Sequence, residues 1–160
     1  RLLVDPKIQF IDIPWDEVRR FLATHPAMLH SMDPRTFEGL IAEFFKSYDW
    51  EVELTARTRD HGYDIIAIKH NMPSELRLLV EAKRYAPDRP VGVDIVRALC
   101  GLRPVNSYSQ VILATSSRVS PVAKEEFNRI IPWELDFLER DRILDWCKNS
   151  GSVPLAGEFD

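Results

Sequence analysis

Apolar positions along the chain change their period at Trp50. Before it, "MDPRTFEGLIAEFFKSYDW" repeats Phe37, Leu40, Ile41, Phe44 and Tyr48 at helical spacing. A stripe of that period marks a helix that buries one face. Asp33 suits the N-cap and Pro34 the first helical position, so the helix is predicted over residues 34–48. Upstream, Val18, Phe21 and Leu22 give a shorter amphipathic helix in "DIPWDEVRRFLATHP", with Pro26 beyond its end. Residues 1–12 alternate too loosely to predict an element.

After Trp50 the period shortens to two. "EVELTART", "DIIAIKH" and "LRLLVEAKR" read as strands, separated by "RDHGYD" and by a turn over "NMPSE". They lie close enough in sequence for an antiparallel meander. Next come a helix in "VDIVRALCGL" and a strand in "SQVILATS", apolar throughout and therefore expected inside the sheet. A helix in "SPVAKEEFNRII" follows, with Ser120 as N-cap and Pro121 at its first position. A short strand in "WELDFLE" and a helix in "DRILDWCKNS" complete the order. Strands joined by helices imply parallel crossovers. The predicted fold is α/β, a three-layer α/β/α core around a mixed sheet of about five strands. The predicted organisation is an N-terminal helical arm over 1–30, one domain over 31–150 and a loose tail over 151–160.

Composition narrows the class. With 160 residues, 45% apolar and 29% charged, the chain can bury a core without staples. The two cysteines, Cys100 and Cys147, each fall in an apolar helical pattern and read as core residues. No Cys/His cluster has zinc spacing, and no apolar run approaches a membrane span of about 20 residues. The expected compartment is therefore the reducing cytoplasm, with no membrane partner. A net charge of −4 argues against a purely basic nucleic-acid binder, yet arginines crowd the middle third of the chain.

One strand does not fit the apolar pattern. In "RLLVEAKRYA" the run Leu78, Leu79, Val80 is broken by Glu81 and Lys83 at i and i+2. Side chains two apart on a strand share a face, so a carboxylate and an ammonium would stand side by side at the end of a buried strand. Such charge must be paired or bound to a metal. If the second and third strands form a hairpin, Asp64 at the start of one comes beside Glu81 near the end of the other. Two converging carboxylates make a hard-oxygen site suited to Mg²⁺, which can activate a water for phosphodiester hydrolysis. Lys83 would then orient that water or balance charge on the phosphate. The plain alternative is a surface Glu81–Lys83 ion pair.

Four segments resemble one family together. "DPRTFEGLIAEFFKSYDWEVELTARTRDHGYDIIAIK", "LLVEAKRYAPDRPVGVDIVRALCGL", "SQVILATSSRVSPVAKEEF" and "ELDFLERDRILDWC" look like the Mrr-type restriction endonuclease catalytic domain. That family belongs to the PD-(D/E)xK nuclease superfamily. The resemblance implies a restriction-endonuclease-like core that cuts DNA with Mg²⁺, for which Mn²⁺ would substitute, and that is often fused to a DNA-reading domain. By position, Asp64 matches its first metal-binding acid, and Glu81 and Lys83 match its (D/E/Q)xK motif. Many relatives carry glutamine where this chain has Glu81. Glu38, in "FEGLI", matches a glutamate that often faces the site; its plain alternative is a solvated helix residue. His61, Arg84 and Arg118 are candidate DNA-phosphate contacts, each with an ordinary surface role as the alternative. Three functions are left open: a Mg²⁺-dependent DNA endonuclease in defence or DNA processing, a structure-specific repair nuclease or junction resolvase, and a non-catalytic DNA-binding scaffold. A fused or partner recognition domain and a homodimer are compatible with each.

Overall fold

The fold is seen in a computed structural model that describes residues 2–5, 7–10, 13–56, 63–71, 73–105 and 107–149, with backbone alone for 2–5, 7–10, 56, 63 and 64. His61 and the tail over 151–160 lie outside the described residues. Residues 2–5 and 7–10, for which the apolar pattern predicts nothing, pair as antiparallel strands, β1 (Leu2–Asp5) with β2 (Lys7–Phe10). The main sheet has five strands in the order β3 (Glu51–Ala56), β4 (Tyr63–Asn71), β5 (Ser74–Lys83), β6 (Gln110–Thr115), β7 (Leu135–Leu138). The first three are antiparallel and the last three parallel. This is the mixed sheet that the order of elements predicts. β6 lies between β5 and β7, and its residues 111–115 are fully buried, as expected of an interior strand. The turn predicted over residues 71–75 is tighter in fact, because Asn71 already pairs with Ser74.

The helices cover both faces. On one lie α1 (Trp15–Thr24), α2 (Pro34–Ser47) and α5 (Arg140–Lys148), with a 3₁₀ turn over Pro26–Leu29. α2 begins as its sequence predicts: Pro34 occupies the first turn and the Asp33 carboxylate accepts from the Arg35 and Thr36 amides. Phe37, Leu40, Ile41, Phe44 and Phe45 are at most 1% exposed and pack against Ile65, Ala67, Leu78 and Val80 of the sheet. Val18 and Leu22 of α1 join this cluster, so the N-terminal helix is part of the main core. On the other face, α3 (Val93–Leu102) and α4 (Pro121–Glu126) cover Ile66, Leu79, Val111, Leu113 and Phe137. The Ser120 hydroxyl caps α4 by accepting from the Ala123 amide. α4 is shorter than its sequence predicts: it stops at Glu126, and Phe127, Ile130 and Ile131 then pack onto this second core through irregular turns.

Candidate active site

The β4–β5 register places the two halves of the predicted motif together. Ile65 pairs with Val80, so the next antiparallel position sets residue 64 beside Glu81. On its other side Asp64 pairs with Thr55 of the edge strand β3. Along β5, Leu78, Val80 and Ala82 pack into the α1/α2/α5 core, while Leu79 packs into the α3/α4 core. Alternation therefore carries Glu81 and Lys83 onto Leu79's face. There the Lys83 Nζ lies 3.4 Å from Glu81 Oε1, with the two side chains 21% and 19% exposed. The broken apolar run thus marks the point where a covered strand emerges at the rim of the sheet.

The surroundings hold this strand end still. Lys83 pairs with Thr115 of β6, and the Ser116 amide donates to the Lys83 carbonyl at 3.3 Å. The Ser116 hydroxyl donates to the Tyr85 carbonyl at 2.7 Å, and the Ser117 hydroxyl to the Arg89 carbonyl at 2.8 Å. The Ser117 amide in turn donates to the Thr115 hydroxyl. These three residues are at most 2% exposed, so their polar groups need partners, and they find them in the chain that follows β5. Both serine hydroxyls therefore pin the loop after the motif.

The other candidates have distinct places. Glu38 is 5% exposed on α2, the layer opposite the face that carries Glu81 and Lys83, and it is engaged by a further polar or electrostatic interaction. It is not the solvated helix residue of the plain alternative. Arg84 lies just past β5 and donates from Nη1 to the His30 carbonyl at 2.7 Å, which ties the strand end to the start of the α2 layer. Arg118 is exposed and donates to the Pro87 carbonyl at 2.9 Å. Two residues were not found from the sequence. The His30 imidazole is held below its ordinary pKa, first by burial, then by the Arg140 and Arg84 cations. Arg140 anchors the Pro26 carbonyl at 3.0 Å. Only a basic residue opening α5 hinted at the second, and nothing in the pattern ties it to the strand end.

Among the described residues no three His, Cys, Asp or Glu side chains gather as a metal cage. Mg²⁺ does not need one, since it is commonly held by one or two carboxylates together with water and substrate phosphate. The register sets position 64 beside Glu81, so two residues of carboxylate type meet at this strand end.

An antiparallel hairpin carrying an acid–x–lysine pair, feeding parallel strands between helical layers, defines a nuclease core of the restriction-endonuclease type. A family model described as "Restriction endonuclease", that of the Mrr-type catalytic domain, matches residues 29–147. The chain belongs to that family. Among solved structures it is similar to the "DNA modification-dependent restriction endonuclease AspBHI", with a TM-score of 0.62 and 20% identity over 90% of this chain. The MspJI restriction endonuclease in complex with a 27-mer oligonucleotide and restriction endonuclease FokI also match, each with a TM-score of 0.49, at 14% and 12% identity over 81% and 87% of this chain. The chain spans 38%, 29% and 28% of these three proteins. A search of curated proteins gave no match.

Proposed function

We propose that this chain is the cleavage domain of a Mg²⁺-dependent DNA endonuclease, its nuclease unit lying within residues 31–150. The observation that supports this most is the Glu81–Lys83 pair at 3.4 Å, at the rim of a buried strand and across the register from Asp64. Asp64 and Glu81 would hold the divalent ion, and Mn²⁺ would serve in place of Mg²⁺. When bound, such an ion supplies Lewis-acid polarisation of the phosphate and an activated water. The chain's own residues do the rest. Lys83, held by Glu81, presents a positive charge where negative charge builds on the attacked phosphate. Glu81 keeps that ammonium in place and supplies oxygen ligands. The serine-pinned loop fixes the backbone carrying both, so little reorganisation is needed when substrate arrives. AspBHI is a DNA modification-dependent enzyme by its name, and this chain spans 38% of it. Selection of a sequence or a modified base would then fall to a recognition domain, fused or separate.

The test is cleavage of supercoiled plasmid. We expect nicking with Mg²⁺, none with EDTA, and loss of at least 100-fold in Asp64→Ala and Glu81→Ala, on the scale of removing one catalytic group (about 10²–10⁴-fold). Normal cutting by either variant would overturn the assignment. A large loss of melting temperature in both would return the pair to a structural role.

A further inference from the structure

We propose that the cavity at the ends of β6 and β7, walled by Arg118, Arg140 and Phe137, is a second phosphate subsite that holds the backbone of the DNA strand beside the one being cut or continuous with it. This rests on the nuclease reading above. The cavity has a volume of about 500 Å³ and is also lined by Pro87, Ser117 and Arg142.

Arg97 is paired with Asp94 and Glu126, Arg103 with Glu134, and Lys124, on the cavity wall, with Glu139 at 2.7 Å. Arg118 and Arg140 differ. Each donates to a backbone carbonyl, of Pro87 and of Pro26, and among the described residues neither has a carboxylate partner. Arg140 also has a buried Nη1 without a hydrogen-bond partner. Two arginines without a carboxylate partner at one cavity, one of them with an unmet Nη1, are what an anion would complete.

Two carboxylates oppose an anion here, and their environment limits the cost. Glu139 is already bonded by the Lys124 ammonium and by the Val119 amide at 2.8 Å. Asp141 is exposed, where solvent screens it. The cavity also opens at the first turn of α5, nine residues long, whose amides favour negative charge.

Position argues for DNA backbone as the source of the phosphate. Ser117 and Pro87 line the cavity, and the neighbouring Ser116 amide is bonded to the carbonyl of Lys83 itself. From β5 to β7 is two inter-strand spacings, about 10 Å. That equals about three base steps at 3.4 Å of rise per strand. A duplex lying along this rim would meet the acid–lysine pair and the cavity with different phosphates, and Phe137 would offer an apolar wall to the sugar.

The test is duplex DNA binding in EDTA, so that nothing is cut, measured against salt for the wild type, Arg118→Ala, Arg140→Ala and the double variant. Arg97→Ala, in an ion pair on α3, is the control. The double variant should lose about one unit of salt slope, the loss expected for one phosphate contact, and Arg97→Ala none. Arg118→Ala carries the test if Arg140→Ala melts early, since the Arg118 side chain is exposed; it should weaken binding at low salt by itself. A wild-type protein that cuts DNA, with a double variant of unchanged slope, would overturn the subsite alone. A wild type that neither binds nor cuts DNA would overturn the nuclease reading and this subsite with it. Inorganic phosphate is titrated separately. Micromolar binding that vanishes in the double variant would assign the cavity to a small phosphorylated molecule and overturn DNA as its occupant.

Discussion

Lys83 and Arg84 are adjacent, both basic, and do different work. Lys83 faces Glu81 on one side of the sheet, whereas Arg84 reaches to the His30 carbonyl on the other. Lys83→Ala should lower the single-turnover cleavage rate by roughly 10²–10⁴-fold, the span of one acid–base or electrostatic group, without lowering stability. Arg84→Ala should show itself in the thermal melt, because it frees the turn before α2. Normal cutting by Lys83→Ala at saturating DNA would sink the lysine's role. The sequence already displays Glu81 and Lys83, since two charges interrupt an apolar strand. It does not display His30 and Arg140, which are brought to Arg84 only by the packing of α5 and the 3₁₀ turn. No local pattern encodes that meeting.

At the scale of elements, Trp146 is where three helices join. The Arg19 guanidinium of α1 lies 3.9 Å from its ring centroid and donates to its carbonyl at 2.7 Å. Its indole N–H donates to the Ser47 hydroxyl at the end of α2, and its ring meets Phe44 at 5.3 Å, edge on. Arg19 is 8% exposed, and its stacking and hydrogen bond offset the cost of that burial. Phe44 is the hub of the α2 side, fully buried and also 4.9 Å from Tyr48. Phe44→Ala should destabilise by about 3–5 kcal/mol, the range for a buried aromatic. Denaturant unfolding reads this, and a loss below about 1 kcal/mol would show that the stripe is not core. α2 was legible because cap, proline and a five-residue stripe agree. The pairing of β1 with β2 was not, since two four-residue strands have too few positions to show a period. α4 is shorter than its pattern predicts, because Phe127 and Ile130 continue a helical spacing but pack from irregular turns.

At the scale of the molecule, the sheet is half local and half distant. β3, β4 and β5 follow one another antiparallel, while β6 and β7 join by parallel crossovers through α3 and α4. Fold class and sheet direction could be read from connection lengths alone. The exact rim that Glu81 and Lys83 share with the α5 cavity could not, because it depends on which strand ends come side by side. The tight connection between Asn71 and Ser74 has a kinetic consequence. A hairpin closes in about 1–10 μs, whereas pairings between distant strands wait on costlier loop closure. The register that sets Asp64 against Glu81 should therefore be settled early in folding, before the parallel half of the sheet exists. Pulsed hydrogen exchange during refolding should show β4 and β5 amides protected ahead of those of β7; simultaneous protection would refute that order. The two acids that we assign to cleavage would then find one another as neighbours in time, and the cavity that we assign to DNA would be the last part of the molecule to take shape.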